Sequence, residues 1–173
     1  WGTPSDLEEY RYWSNTFRSI LNEQKPPRHK GALILPMAGF GSRFQKEGYE
    51  MPKPLIPVSG QPMAVQALMD LPLTDTQKFV LREDMQGINQ LKEALQKNVI
   101  AAEFSILNHM TDGQASTCVE GANGLAMNEP VTIAACDNGM IYDTDSFKIH
   151  FLTGRSDISW ISTNLPGDNR VPN

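Results

Sequence analysis

The sequence predicts an α/β domain, a mostly parallel sheet with helices on both faces, and three observations carry that expectation. From residue 32 onward, short apolar runs alternate with stretches of helical periodicity, and strands alternating with helices imply parallel pairing under helical cover. A glycine loop follows the first run directly, at the carboxyl end of a strand, where open α/β sheets hold ligands. A chain of 173 residues with 40% hydrophobic and 20% charged side chains has the size and composition of one globular domain with a real core.

The elements follow in order. Thr3-Pro4-Ser5-Asp6 supplies a capping hydroxyl, a proline for the first turn and an acid for the positive end of the helix dipole. Leu7, Tyr10, Trp13, Phe17, Ile20 and Leu21 then recur at helical spacing, and the helix must stop before Pro26-Pro27. The aromatic stripe reads as core or interface rather than as a platform for stacking bases. After a linker over 25–30, strands are expected at 32–36, 78–82, 104–107, 131–136 and 158–162. Helices are expected at 62–70, 84–97, 113–127 and 145–152. The division expected from this pattern is an N-terminal helix and linker over 1–29, followed by a ligand-binding domain over 30–173.

Composition excludes several classes. The formal charge of -5 argues against general nucleic-acid binding, which needs a basic face. No run approaches the length of a membrane span, the N-terminal stretch has no signal-peptide pattern, and the expected location is the cytoplasm. Cys118 and Cys136 lie in no C-x-x-C pattern, so neither a metal cage nor a disulfide framework is expected. His29, His109 and His150 form no spaced pair and read as surface or capping residues.

The chemistry is concentrated in Leu35-Pro-Met-Ala-Gly-Phe-Gly-Ser-Arg-Phe44, followed by Met51-Pro-Lys-Pro-Leu55. Backbone N–H groups reach phosphate oxygens only where side chains are absent, and Gly39 and Gly41 also permit the positive φ of an anion-binding nest. Arg43 and Lys53 add positive charge. The segment fits neither the Walker A pattern nor the dinucleotide fingerprint. The G-x-G-S-R-F string with P-K-P downstream resembles the signature of the sugar-phosphate nucleotidyltransferases, which join an NTP to a sugar 1-phosphate and release pyrophosphate. Without that resemblance the segment reads as a βα turn with two solvated cations.

The resemblance implies a Rossmann-like, glycosyltransferase-A-like fold, here truncated, and it extends over 31–162 in three stations. Ala38, Gly39, Phe40, Gly41 and Ser42 correspond to the nucleotide loop, with Arg43 and Lys53 as the catalytic cations. Asp112-Gly-Gln-Ala-Ser-Thr117 resembles the segment whose glycine packs under the base; Gly113 takes that place, and Asn108 stands where a glutamine often precedes it. Read alone, the segment is an Asp-capped helix start. Ala134-Ala-Cys-Asp-Asn-Gly139 resembles the metal station, so Asp137 is the implied ligand of a Mg²⁺ cofactor, although Cys136 replaces the usual glycine.

The implied partners are an NTP and a sugar 1-phosphate or similar small phosphate, with oligomeric state open. Trp1-Gly-Thr-Pro-Ser-Asp-Leu7 is similar to the segment that closes such domains, so it reads either as the tail of a preceding domain or tandem copy, or simply as a good helix start. The second metal aspartate and the sugar-contacting lysine of the family have no counterpart before Asn173, and Asp168 lies in a turn-like Pro-Gly-Asp-Asn run. Two alternatives stay open: a regulatory module that binds nucleotide without turnover, and a glycosyltransferase of the same fold, for which Asp143-Thr-Asp145 has D-x-D spacing.

Overall fold

The computed structural model describes residues 3–21 and 28–139. The expected helix at 145–152, the expected strand at 158–162 and the candidates Asp143, Asp145 and Asp168 lie outside the described residues.

Helix α1 (Pro4–Leu21) starts as its sequence demands: the Asp6 N–H donates to Thr3 Oγ1 at 3.3 Å and the Thr3 N–H to Asp6 Oδ2 at 3.0 Å. This reciprocal cap satisfies two N–H groups that a helix start otherwise leaves unpaired. The expected stripe needs one correction. Leu7 and Ser14 are buried, Tyr10 and Arg11 half-buried, and Trp13 is 45% exposed, packed edge-on against Tyr12. At roughly 100° per residue, positions 7, 10, 11 and 14 share one face and 13 falls well off it.

The main sheet is four parallel strands in the order β5-β4-β1-β6, formed by β1 (Arg28–Pro36), β4 (Leu73–Arg82), β5 (Ala102–Leu107) and β6 (Val131–Ile133). Between β1 and β4 the chain makes the short helix α2 (Ser42–Lys46), a 3₁₀ turn (Lys53–Leu55), the small antiparallel pair β2 (Pro57–Val58) and β3 (Gln61–Pro62), and α3 (Met63–Leu68). Helix α4 (Ile88–Asn98) joins β4 to β5, and α5 (Gln114–Ala122) joins β5 to β6. β1, β4 and β5 begin earlier than expected. Helices are shorter, because Gly87 in the left-handed region starts α4 late and Gly124 at φ 86° follows the early end of α5.

The central strands β1 and β4 are buried through their C-terminal halves, which is why those segments read as continuous apolar runs. Ile34 and Val80 face α5, and Leu107, Cys118 and Ala38 complete that cluster. On the other face Phe79 packs on Phe104, whose ring lies 5.3 Å from the Lys92 ammonium of α4. Contact between α5 and the sheet depends on Gly121: a Cβ there would stand 2.7 Å from Val80 Cγ2 and 2.8 Å from Ile34 Cγ2. Beside it, the buried Lys78 donates to the Asn123 carbonyl just past the end of α5 at 2.6 Å, where the helix dipole favours a cation.

The expectation of a buried strand over 131–136 is corrected. β6 spans Val131–Ile133, with Val131 40% and Ile133 59% exposed, and among the described residues it is an edge strand that pairs with β1 alone. The Ala134 N–H still donates to Ile34 O at 3.1 Å, after which the chain turns at Cys136 and Asp137. Asp137 therefore sits in a turn beyond the strand rather than at its tip. No helix among the described residues is long and apolar enough to cross a membrane.

Candidate functional site

A cleft of about 370 Å³ opens at the carboxyl edge of the sheet. One wall is the loop that leaves β1, contributing Pro36, Met37, Ala38, Gly39 and Gly41; another is Met110, Thr111, Gly113 and Gln114 with Thr117, and Cys136 with Asp137 closes a third side. Lys53 and Asp137 are the charged side chains among the described residues that line it.

The β1 loop is shaped by hydrogen bonds and by one glycine. The Met37 N–H donates to Val80 O at 2.8 Å, prolonging the sheet, and Phe44 begins the α2 ladder by donating to Gly41 O at 3.0 Å. Gly41 takes φ 65° and ψ 32°, and a Cβ there would stand 3.1 Å from the Lys53 Cβ. An L-residue in that conformation is strained by roughly 1–2 kcal/mol, and it would press on the lysine stem. Gly39 is different: a Cβ would meet nothing within 4 Å, so its lack of a side chain leaves bare backbone on the open side of the loop. The same holds at Gly113, where nothing lies within 4 Å.

Lys53 is held by its neighbours. Pro52 fixes the entry to the 3₁₀ turn, the Leu55 N–H donates to Pro52 O at 2.8 Å, and Pro54 and Leu55 are buried beneath it. The lysine head, 5.5 Å from the Phe44 ring centroid, donates to Asp137 Oδ2. The pair spans 84 positions of sequence, with side chains 24% and 18% exposed. It is an ion pair at the cleft wall, accessible to solvent yet shielded. Cys136 beside it is inert by environment: burial pushes its thiol up to about 12, the Asp137 carboxylate adds to the shift, and Lys53 opposes it.

Of the residues expected from sequence, Ala38, Gly39, Gly41, Lys53, Gly113 and Asp137 line this one cleft. Phe40, Ser42 and Arg43 do not line it; Ser42 and Arg43 are exposed at the start of α2, and Phe40 turns its ring onto Arg82. Asn108 lines an adjoining cleft of about 360 Å³ with Arg82, Glu83, Asp84, His109 and Met110, and its Oδ1 lies 3.0 Å from His109 Nδ1.

Sequence reasoning missed two groups. Thr117 donates from its hydroxyl to Gly113 O at 3.1 Å and lies 2.6 Å from the Thr111 hydroxyl, which fixes the loop around Gly113. Arg82 ends β4 and is 7% exposed; its Nη1 donates to Ala38 O at 2.6 Å, and its guanidinium lies 3.9 Å from the Phe40 ring centroid. The one available signal was a charge closing the apolar run Phe79-Val-Leu-Arg82 at the same sheet edge as the glycine loop.

No protein-family profile and no curated protein sequence matches this chain. Its fold is shared with solved structures. A nucleoside-diphosphate-sugar pyrophosphorylase from Vibrio cholerae is 24% identical with a TM-score of 0.52, over 66% of this chain and 52% of that one. An apo UDP-glucose pyrophosphorylase is 17% identical with a TM-score of 0.50, over 72% of this chain and 56% of that one. The α/β, Rossmann-like architecture is thus that of known pyrophosphorylases, and this chain spans about half the length of those it matches.

Proposed function

We propose that this chain supplies the nucleotide- and Mg²⁺-binding half of a nucleotidyltransferase, which moves a nucleotidyl group from an NTP to a sugar 1-phosphate and releases pyrophosphate. The observation that carries this reading is the convergence of Lys53 and Asp137 on a cleft walled by the bare backbone of Gly39 and Gly113. Side-chain-free loops admit phosphates and a planar base, a lysine offers a mobile point charge for phosphate, and a lone carboxylate offers a hard oxygen donor. The shared fold with two pyrophosphorylases supports it.

The acceptor phosphate would attack the α-phosphorus in line as pyrophosphate departs, and being an anion already it needs no general base. The work of the site is then positioning and charge neutralisation. Lys53, on the cleft wall, would hold triphosphate oxygens and neutralise charge developing on the leaving group. For Mg²⁺ the residues fit in a limited way: Asp137 is the acid on the cleft wall, and no group of three or more His, Cys, Asp or Glu is gathered among the described residues. Mg²⁺ favours one or two protein carboxylates with phosphate and water oxygens, so Asp137 would be its protein ligand. When bound, the ion would neutralise phosphate charge and orient the leaving group. Because Lys53 and Asp137 are paired to each other, cation and nucleotide should bind better together, each taking the partner that the other releases.

The test is a nucleotide titration with and without Mg²⁺ in the parent and in Asp137→Asn, which keeps shape and removes charge. Mg²⁺ is expected to tighten binding in the parent and to do so far less in the variant. Equal metal enhancement in both proteins would sink the assignment.

A further inference from the structure

We propose that Arg82 is a positioning residue for the cleft, holding the glycine loop of β1 and the Met110 wall in one geometry through four contacts. It donates from Nη1 to Ala38 O at 2.6 Å, and the same nitrogen lies 3.2 Å from Met110 Sδ. Nε donates to Asp84, and the guanidinium carbon lies over the Phe40 ring, 3.9 Å from its centroid. Ala38 and Met110 both line the cleft, whereas Arg82 does not, so its influence passes through them.

An arginine 7% exposed at the end of a buried strand is costly to desolvate, and such groups persist where their donors are satisfied. Here the donors are spent on the Ala38 carbonyl, the Met110 thioether and the Asp84 carboxylate, in three connecting segments outside the strands and helices. The Ala38 carbonyl precedes Gly39, so anchoring it fixes the stretch of backbone that faces the proposed phosphates. Phe40 is half-exposed and flanked by two glycines, a segment that would otherwise sample many conformations. Stacking on the guanidinium holds its ring away from the cleft and leaves the loop backbone bare. Lysine cannot replace this: its ammonium has three donors but neither a planar fork nor a flat face, so it does not hold a carbonyl, a carboxylate and a ring together in one fixed geometry.

The inference rests on the nucleotide reading for its ligand arm and is independent of it for its backbone arm. Arg82→Lys, Arg82→Met and Phe40→Ala are compared with the parent in two measurements. The first is ¹⁵N relaxation of the ligand-free proteins. Order parameters at Gly39, Phe40 and Gly41 are expected to fall from the rigid range near 0.85 toward about 0.6, with Phe79 to Leu81 unchanged. The second is the affinity for an Mg²⁺–NTP complex, expected to weaken about tenfold in both Arg82 variants, since apparent affinity falls in proportion to the fraction of protein with the loop in its binding geometry. Phe40→Ala, which changes a half-exposed side chain and leaves the core intact, is expected to loosen the loop in the same place.

If the parent binds no NTP, the nucleotide reading falls while the relaxation arm still judges Arg82. An Arg82→Lys protein matching the parent in both measurements overturns the proposal, because charge alone then suffices. Loosening spread evenly through β4 in the Arg82 variants, with Phe40→Ala silent, also overturns it, since the role would then be general stability.

Discussion

At the scale of single residues, the chemistry of the cleft depends on which side chains are kept reactive and which are silenced. Lys53 and Asp137 are partly exposed and can exchange partners; Cys136, one position from Asp137, cannot act as a nucleophile, because burial and the neighbouring carboxylate hold its proton. The unfolded thiol loses its proton near 9, whereas the folded one keeps it to about 12. The native state therefore binds the extra proton across that interval, and stability contributed by Cys136 is complete below pH 9 and lost as pH rises toward 12. Alkylation of the folded chain by iodoacetamide at neutral pH is expected to spare Cys136, and the alkaline fall in melting temperature should be shallower in Cys136→Ala. Rapid modification of Cys136 in folded protein would contradict the environment described. Gly39, Gly41, Gly113 and Lys53 were legible in the sequence as parts of one cleft because their chemistry is local, whereas Arg43 lies exposed on α2 outside it. Arg82, Thr111 and Thr117 were not, because their roles exist only across strands and loops that the sheet brings together. Asn108 was legible as an amide near Gly113, but the β5 loop carries it into the adjoining cleft.

At the scale of elements, the packing of α5 on the sheet sets where the Gly113 wall stands. Gly121 brings the helix close enough for a Cβ to fall 2.7 Å from Val80 Cγ2, in a fully buried cluster with little room to yield. Gly121→Val should therefore destabilise the fold by about 1–3 kcal/mol, the usual cost of overpacking, read as a lower urea midpoint with an unchanged slope. Nucleotide affinity should fall with it, because α5 carries both Gly113 and Thr117 at its start. Most elements were legible, since period-2 and period-3.6 patterns survive without tertiary context. Two features were not. Trp13 lies off the buried face of α1 although its residue type suits a core, and β6 reads as a central strand although nothing among the described residues covers Val131 and Ile133. Burial is a property of neighbours, which an apolar run does not name.

At the scale of the whole molecule, α1 belongs to the same packed body as the cleft. Leu7 is fully buried with Phe44, Ile56, Val58 and Met63, and the Tyr10 hydroxyl donates to Asp70 at 3.3 Å. Phe44 ends the glycine loop and supports Lys53, so the helix braces the site from behind. Leu7→Ala should cost about 2–5 kcal/mol in chemical denaturation, the range of a buried leucine truncated without relaxation; a change under about 0.5 kcal/mol, typical of a surface position, would mean that α1 does not dock. The strand order carries a consequence for the chain's birth. Among the described strands β1 is synthesised first but lies second from the edge, and its Ala32 waits for Val131, roughly a hundred residues later, to pair on that side. At ribosomal speeds of about 5–20 residues per second, this strand, buried through its C-terminal half in the finished fold, spends on the order of 5–20 s with an open edge. Nascent copies are in that interval templates for one another, so yield in the cell should be governed by crowding of translating ribosomes and by chaperone supply before it is governed by the stability of the finished fold.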